Sequence, residues 1–332
     1  MDPLTQAGLG AAVAVALSRR GTVRTAVVVG ALAGAAPDLD VLIRSAEDPL
    51  LAIEYHRHFS HALLLAPVIG FVVALLCRLI FRVRKIPLCE LVTFGVAGAL
   101  THGLLDACTS YGTRLYWPFS NYRESWDIIS IIDPVFTLPL LFFTALAFIL
   151  RRPLWGRIAL ALCLAYFSFG IFQRERAQSF VATLAAERGH LPQELTARTS
   201  FGNTLLWRTV YRAGERYYVD AVRLVPGTEP ILYVGDSVEV FGSAQAEAWA
   251  GQREIVAEDV ERFRHFSQGY LYQHPDDSEV LADLRYALLP DSVYPLWGIR
   301  RPAGQLDGHV DFVNFRSADR SAVERLLAML GL

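Results

Sequence analysis

The chain has 332 residues, 53% of them hydrophobic, and a formal net charge of −2. The length admits two domains of ordinary size, and the charge balance excludes a nucleic-acid binder that works through bulk positive charge. Cys77, Cys89, Cys108 and Cys163 match neither a zinc spacing nor a CxxC motif. They read as small core side chains, and the cysteine-free second half has no disulfide to hold it.

From Met1 to about Gln173 the chain is a series of apolar runs broken by short polar links. It opens Met1-Asp2-Pro3, and its first basic residues, Arg19 and Arg20, follow the apolar stretch. A first helix that stays attached is therefore expected, not a cleaved signal peptide. Uncharged runs occupy 3–18, 25–37, 62–77, 91–105, 134–150 and 158–173. They predict an all-α transmembrane bundle of 4–6 spans, with the first two runs short enough to be tilted or re-entrant. Their Gly/Ala content suits close helix packing. A water-soluble bundle is disfavoured, because so many apolar runs would leave little polar surface.

Basic residues gather in alternate links: Arg19, Arg20 and Arg24, then Arg78, Arg82, Arg84 and Lys85, then Arg151, Arg152 and Arg157. The intervening links, 38–61 and 106–133, are longer and hold only Arg44, Arg57, Arg114 and Arg123. The positive-inside rule makes the first set cytoplasmic. The last run then exits outward, and residues 174–332 form a smaller extracytoplasmic α+β domain. Within it, 204–211 and 216–225 read as a hairpin around Ala213-Gly214-Glu215. Strands are predicted at 231–234, 280–288 and 310–315. Helices are predicted at 254–266 and 318–330, the second with Ser317 as N-cap and Gly331 as stop.

Clusters of possible metal ligands fall at one face of this arrangement. Asp38 and Asp40 end the second run; His56, His58 and His61 precede the third; His102 and Asp106 end the fourth; Asp133 opens the fifth. His102 and Asp106 are i, i+4, which puts them on one side of a helix. Imidazole and carboxylate suit Zn²⁺ first, with Mn²⁺ or Fe²⁺ also accommodated. Ionisable groups at membrane depth are costly and usually functional. His56 and His61 are five apart, so they converge only if the backbone breaks between them. Arg57 is a candidate anion clamp or an ion-pair partner of Asp38, Asp40 or Glu54.

The set Pro37-Asp38-Leu39-Asp40, His56-Arg57-x-x-Ser60-His61 and His102-x-x-x-Asp106, with Thr109-Ser110-Tyr111-Gly112-Thr113 and Trp117-Pro118-Phe119, resembles the membrane-bound metal-dependent hydrolases. These are also called LexA-binding, inner-membrane-associated hydrolases. The likeness covers the membrane half well and the rest loosely, through Asp133-Pro134 and Leu205-Leu206-Trp207-Arg208. It implies a multi-pass protein of a bacterial-type inner membrane. His58 stands where a small or polar residue is expected, so it is set apart from the ligands.

The expected function is metal-assisted hydrolysis at the outer membrane interface, on a phosphoester of a lipid or lipid-linked substrate. Asp38, His56, His61, His102, Asp106 and Asp133 are the expected ligands, Asp40 the general base and Arg57 the clamp. The alternative is a non-enzymatic membrane anchor or sensor whose soluble domain binds a protein partner. A transporter ranks lower, because the ionisable groups cluster at one end of the helices and are not spread through their depth.

Overall fold

The computed structural model describes residues 1–81, 85–302, 308–316 and 320–332. Ser317, the expected N-cap, and Arg82 and Arg84 of one basic link lie outside the described residues. The chain divides into two compact units. The first holds Met1–Leu42, Tyr55–Ile171 and Phe201–Asn203; the second holds Ile43–Glu54, Phe172–Ser200 and Thr204–Leu332.

In the first unit every apolar run becomes a helix: α1 (Pro3–Leu17), α2 (Val23–Ala35), α4 (Ala66–Ile80), α5 (Leu88–Ala107), α6 (Pro134–Leu150) and the start of α7 (Pro153–Glu187). A 3-10 turn, Ala36–Leu42, continues α2, and a short helix α3 (Leu51–Tyr55) and a 3-10 turn Phe59–His61 precede α4. Asp2 caps α1 through the Thr5 N–H, and Asp133 caps α6 through the Phe136 N–H. Helix α1 packs on α2, α5 and α6, and α5 also packs on α2 and α4.

Close approach is made by glycine. A Cβ on Gly34 would stand 2.6 Å from the Gln6 carbonyl, and one on Gly98 would stand 2.6 Å from that of Gly30. Sparse side chains let helix backbones touch, as membrane helices do. The burial pattern is inverted relative to a water-soluble helix. On α4, Gly70, Ala74 and Cys77 face inward while Val68, Phe71, Val72, Leu76 and Leu79 are exposed. On α6, Val135, Leu138, Phe142 and Ile149 are exposed in the same way. Large apolar side chains turned outward require an apolar solvent.

Three helical stretches among the described residues are long and apolar enough to cross a membrane: Val23–Leu42, Leu88–Ala107 and Pro153–Glu187. A fourth arises if Leu51–His61 and Ala66–Ile80, bent by 82°, act as one broken span. Helices α1 and α6, with 15 and 17 residues, are shorter: at 1.5 Å per residue they reach about 22–26 Å against a hydrocarbon core of about 30 Å. The chain is thus a helical membrane half with three to four candidate spans, followed by a sheet-containing half.

In the second unit two antiparallel sheets follow the strand orders β1-β2-β3-β4 and β5-β6-β7-β8. The first contains β1 (Glu194–Thr199), β2 (Leu206–Ala213), β3 (Arg216–Arg223) and β4 (Ile231–Glu239). The second contains β5 (Leu271–His274), β6 (Asp277–Asp283), β7 (Trp297–Arg300) and β8 (Asp311–Asn314). Helices α8 (Ser243–Ala250) and α9 (Glu254–Phe266) join the sheets, and α10 (Arg320–Leu330) ends the unit. The predicted hairpin is β2–β3, and α9 spans the predicted helix; β1, β5, β7 and α8 add to the prediction.

Strand β2 is buried along both faces from Leu206 to Tyr211, polar Arg208 and Thr209 included. Trp207 packs with Ala177 of α7, while Val210 packs with Tyr272, Ala282 and Leu284 around the second sheet. Its buried Arg208 is satisfied by backbone carbonyls, donating to Leu284 at 2.8 and 3.2 Å, Pro290 at 2.9 Å and Ser292 at 2.6 Å.

Candidate metal centre

The His102-Asp106 spacing does what helix geometry requires: both side chains leave the last turns of α5 on one side, and both are buried. The 3-10 turn after α2 brings Asp38 and Asp40 to the same place. The third contribution depends on a backbone break. Arg57 adopts φ +62°, in the left-handed region, and this reversal between α3 and the Phe59–His61 turn brings the His56 and His61 rings within 5.8 Å of each other.

One ligand atom from each of Asp38, His61, His102 and Asp106 lies within 4.8 Å of all the others. The two imidazoles meet Nε2 to Nε2 at 2.8 Å. Asp38 Oδ1 is 3.5 Å from His61 Nε2 and 3.4 Å from His102 Nε2. Asp106 Oδ2 is 3.2 Å from the former and 3.7 Å from the latter.

The tautomers follow from the other ring nitrogens. His102 Nδ1 contacts the Gly34 carbonyl at 2.5 Å, and a carbonyl only accepts, so that nitrogen carries the proton. His61 Nδ1 faces Asp40 Oδ2 at 3.2 Å and Ser60 Oγ at 3.0 Å. The Ser60 hydroxyl already donates to Asp40 at 2.8 Å, so His61 Nδ1 must donate as well. With both Nδ1 atoms donating, the two Nε2 atoms face each other at 2.8 Å, a contact that a shared proton satisfies and that a bound cation can replace. Carboxyl oxygens Asp38 Oδ2 and Asp106 Oδ2 are buried and accept no hydrogen bond, although Arg57 Nε stands 3.1 Å from the second as a counter-charge. Two imidazoles with two carboxylates suit Zn²⁺, Mn²⁺ or Fe²⁺, and the residues therefore fit a divalent ion.

Around this set the chain supplies orienting groups. Asp40 meets His56 Nδ1 at 2.9 Å through one oxygen and accepts from the Arg57 N–H at 3.0 Å and from Ser60 through the other. It thus reaches both His56 and His61, the kind of contact that outer groups of metal sites make. Asp38, Asp40 and His56 also form a second group with ligand atoms within 4.8 Å, sharing Asp38 with the first. Arg57 is buried, its Nε 3.1 Å from Asp106 Oδ2 and its Nη1 donating to Thr109 at 2.9 Å. Its guanidinium lies 4.7 Å from the Tyr111 ring centre.

The expected residues do not all converge. Asp133 belongs to neither group; its carboxylate caps α6 and accepts from the Tyr166 hydroxyl at 2.8 Å. His58 is also outside them, packed near the Tyr55 and Trp117 rings at 5.3 and 5.7 Å. Sequence reasoning missed Gln6, whose amide donates to Asp106 Oδ1 at 2.8 Å beside the Met1 amine. The signal was an uncharged polar residue inside an apolar helix. Ser60 and Thr109 stood in the motifs without a role, which only their hydrogen bonds supply.

No curated protein and no solved structure matches this chain. The family model described as YdjM inner membrane protein matches residues 1–177, more than half of the sequence and the whole segment that carries the donor set. With its outward-facing apolar helices, the chain belongs to the YdjM inner membrane protein family.

Proposed function

We propose that this chain is a membrane-embedded, metal-dependent hydrolase that cleaves a phosphoester of a lipid or lipid-linked substrate at the extracytoplasmic interface. The observation that carries the reading is the buried His61–His102 pair, Nε2 to Nε2 at 2.8 Å and flanked by Asp38 and Asp106. A divalent ion, Zn²⁺ foremost, would be held by these four residues. When bound, such an ion supplies Lewis-acid polarisation and acidifies water.

The remaining duties fall to the chain's own groups. Asp40 orients His61 and also meets His56, whose side chain is 25% exposed while those of His61 and His102 are closed off. His56 is thus the group placed to move a proton, with Asp40 as its positioning partner. Arg57 sets a fixed positive charge beside Asp106, which favours an anionic substrate. The donor residues stand at the ends of Val23–Leu42 and Leu88–Ala107 and at the break of the bent helix pair. Span ends lie near lipid headgroups, which favours a lipid phosphoester over a soluble metabolite. The excess of basic residues in alternate links supports an outward-facing site and an extracytoplasmic second half.

The test is bound-metal analysis of detergent-purified protein, with phospholipid turnover assayed for wild type, His102→Ala and Asp106→Asn. Metal and turnover are expected in the wild type and lost in both variants. Wild-type protein that neither binds Zn²⁺ or Mn²⁺ nor gains activity with them overturns the reading.

A further inference from the structure

Residues 43–54 connect the two halves of the donor set: the turn with Asp38 and Asp40 ends at Leu42, and His56 and Arg57 follow Tyr55. Yet Ile43–Glu54 packs as part of the second unit, not the first. Its attachment there centres on Arg262 of α9. The guanidinium donates to both oxygens of Asp48, at 3.2 and 2.8 Å, to Glu54 at 2.9 Å and to Asp259 at 2.9 Å. Asp48 also accepts the Leu50 N–H at 3.0 Å, just before α3, and Glu54 lies in the last turn of that five-residue helix. One planar fork therefore grips α3 at both ends, which a lysine point charge cannot reproduce.

Asp48, Asp259 and His309 have ligand atoms within 4.8 Å, but this cluster is a charge latch and not a second metal site. Arg262 already bonds Asp48 and Asp259 as their cation. Asp259 is further satisfied by the Val310 N–H at 3.0 Å and His309 Nδ1 at 3.0 Å.

We infer that Arg262 is a positioning residue: by clamping the Asp48–Glu54 segment it sets the placement of His56 and His61 against Asp38 and Asp40, so that α9 and its domain tune the candidate metal centre. The mechanical part stands on the latch alone; its effect on metal affinity rests on the metal-centre reading above. The coupling runs through the chain itself, since Glu54 is two residues from His56.

The experiment uses full-length protein in detergent, as wild type, Arg262→Gln and the double variant Asp48→Asn/Glu54→Gln. The double variant leaves the Arg262–Asp259 pair in place, so it decides the matter if Arg262→Gln fails to fold. Hydrogen exchange is followed in 43–54, in 55–61 and in the β-sheets, with calorimetric titration of Zn²⁺ alone. Faster exchange is expected in both 43–54 and 55–61 with the sheets unchanged, and a Zn²⁺ Kd raised about fivefold or more. Loosening confined to 43–54, with 55–61 and the Zn²⁺ affinity as in wild type, overturns the inference. Coupled exchange in the variants, with wild-type protein that takes up no Zn²⁺, sinks the metal-centre reading and leaves the latch standing.

Discussion

Asp40 shows how one residue's role depends on what it touches. Its oxygens are engaged by His56, the Arg57 N–H, Ser60 and His61. Asp40→Asn keeps the shape but removes the charge that holds His61 in its tautomer. Zn²⁺ affinity should fall roughly 10–100-fold with the helical content intact, read by calorimetry and circular dichroism. Asp133 makes the opposite case. Asp133→Ala removes the α6 cap, at a cost of about 1 kcal/mol, and should leave Zn²⁺ affinity unchanged; a large affinity loss would place Asp133 among the ligands. The pairing of His102 with Asp106 was legible because i, i+4 spacing is local. The convergence of Asp38 and His61 was not, because it needs the φ +62° reversal at Arg57. Gln6 could be suspected as a polar residue in an apolar helix, but its partner is 100 positions away.

Individual elements carry two further expectations. Gly34 lets α1 and α2 touch, and its carbonyl receives His102 Nδ1. Gly34→Ala brings a methyl group within 2.6 Å of the Gln6 carbonyl, an overpacking worth about 1–3 kcal/mol. The helices must part, so both the thermal midpoint in detergent and the Zn²⁺ affinity should drop together. In the second unit, burial works against the Asp48 carboxylate, but the Arg262 guanidinium prevails and holds the carboxyl below its usual range. A carboxyl depressed in the folded state contributes stability that is complete above its unfolded pKa of about 3.9 and lost as pH falls through the lower folded value. The difference in melting midpoint between wild type and Asp48→Asn should therefore be constant at neutral pH and vanish only in acid below that range. Helix α9 was predictable from its amphipathic pattern. The short strands β5 and β7, with four residues each, were not, since such runs carry too little periodicity to separate them from loops.

For the molecule as a whole, the basic links make a specific statement about sidedness. A reporter fused after Leu332 should be active as a periplasmic enzyme and silent as a cytoplasmic one; the reverse outcome would turn the donor set to the cytoplasmic side. The sequence by itself determined that the first half is a bundle of apolar helices in a membrane and the second a polar α+β half, because run length, charge placement and residue periodicity are local properties of the chain. It also marked His102 and Asp106 as a pair. Only the tertiary structure brought Asp38, His61, His102 and Asp106 into one cluster that could hold a metal ion, with Asp40 against His61 and Asp133 capping a helix. The physical reason is that three separate segments must converge, and their approach is set by glycine contacts between α1, α2 and α5 and by a single backbone reversal. The same holds for Arg262, whose grip on Asp48, more than 200 positions earlier, exists only because α9 and residues 43–54 fold into one unit.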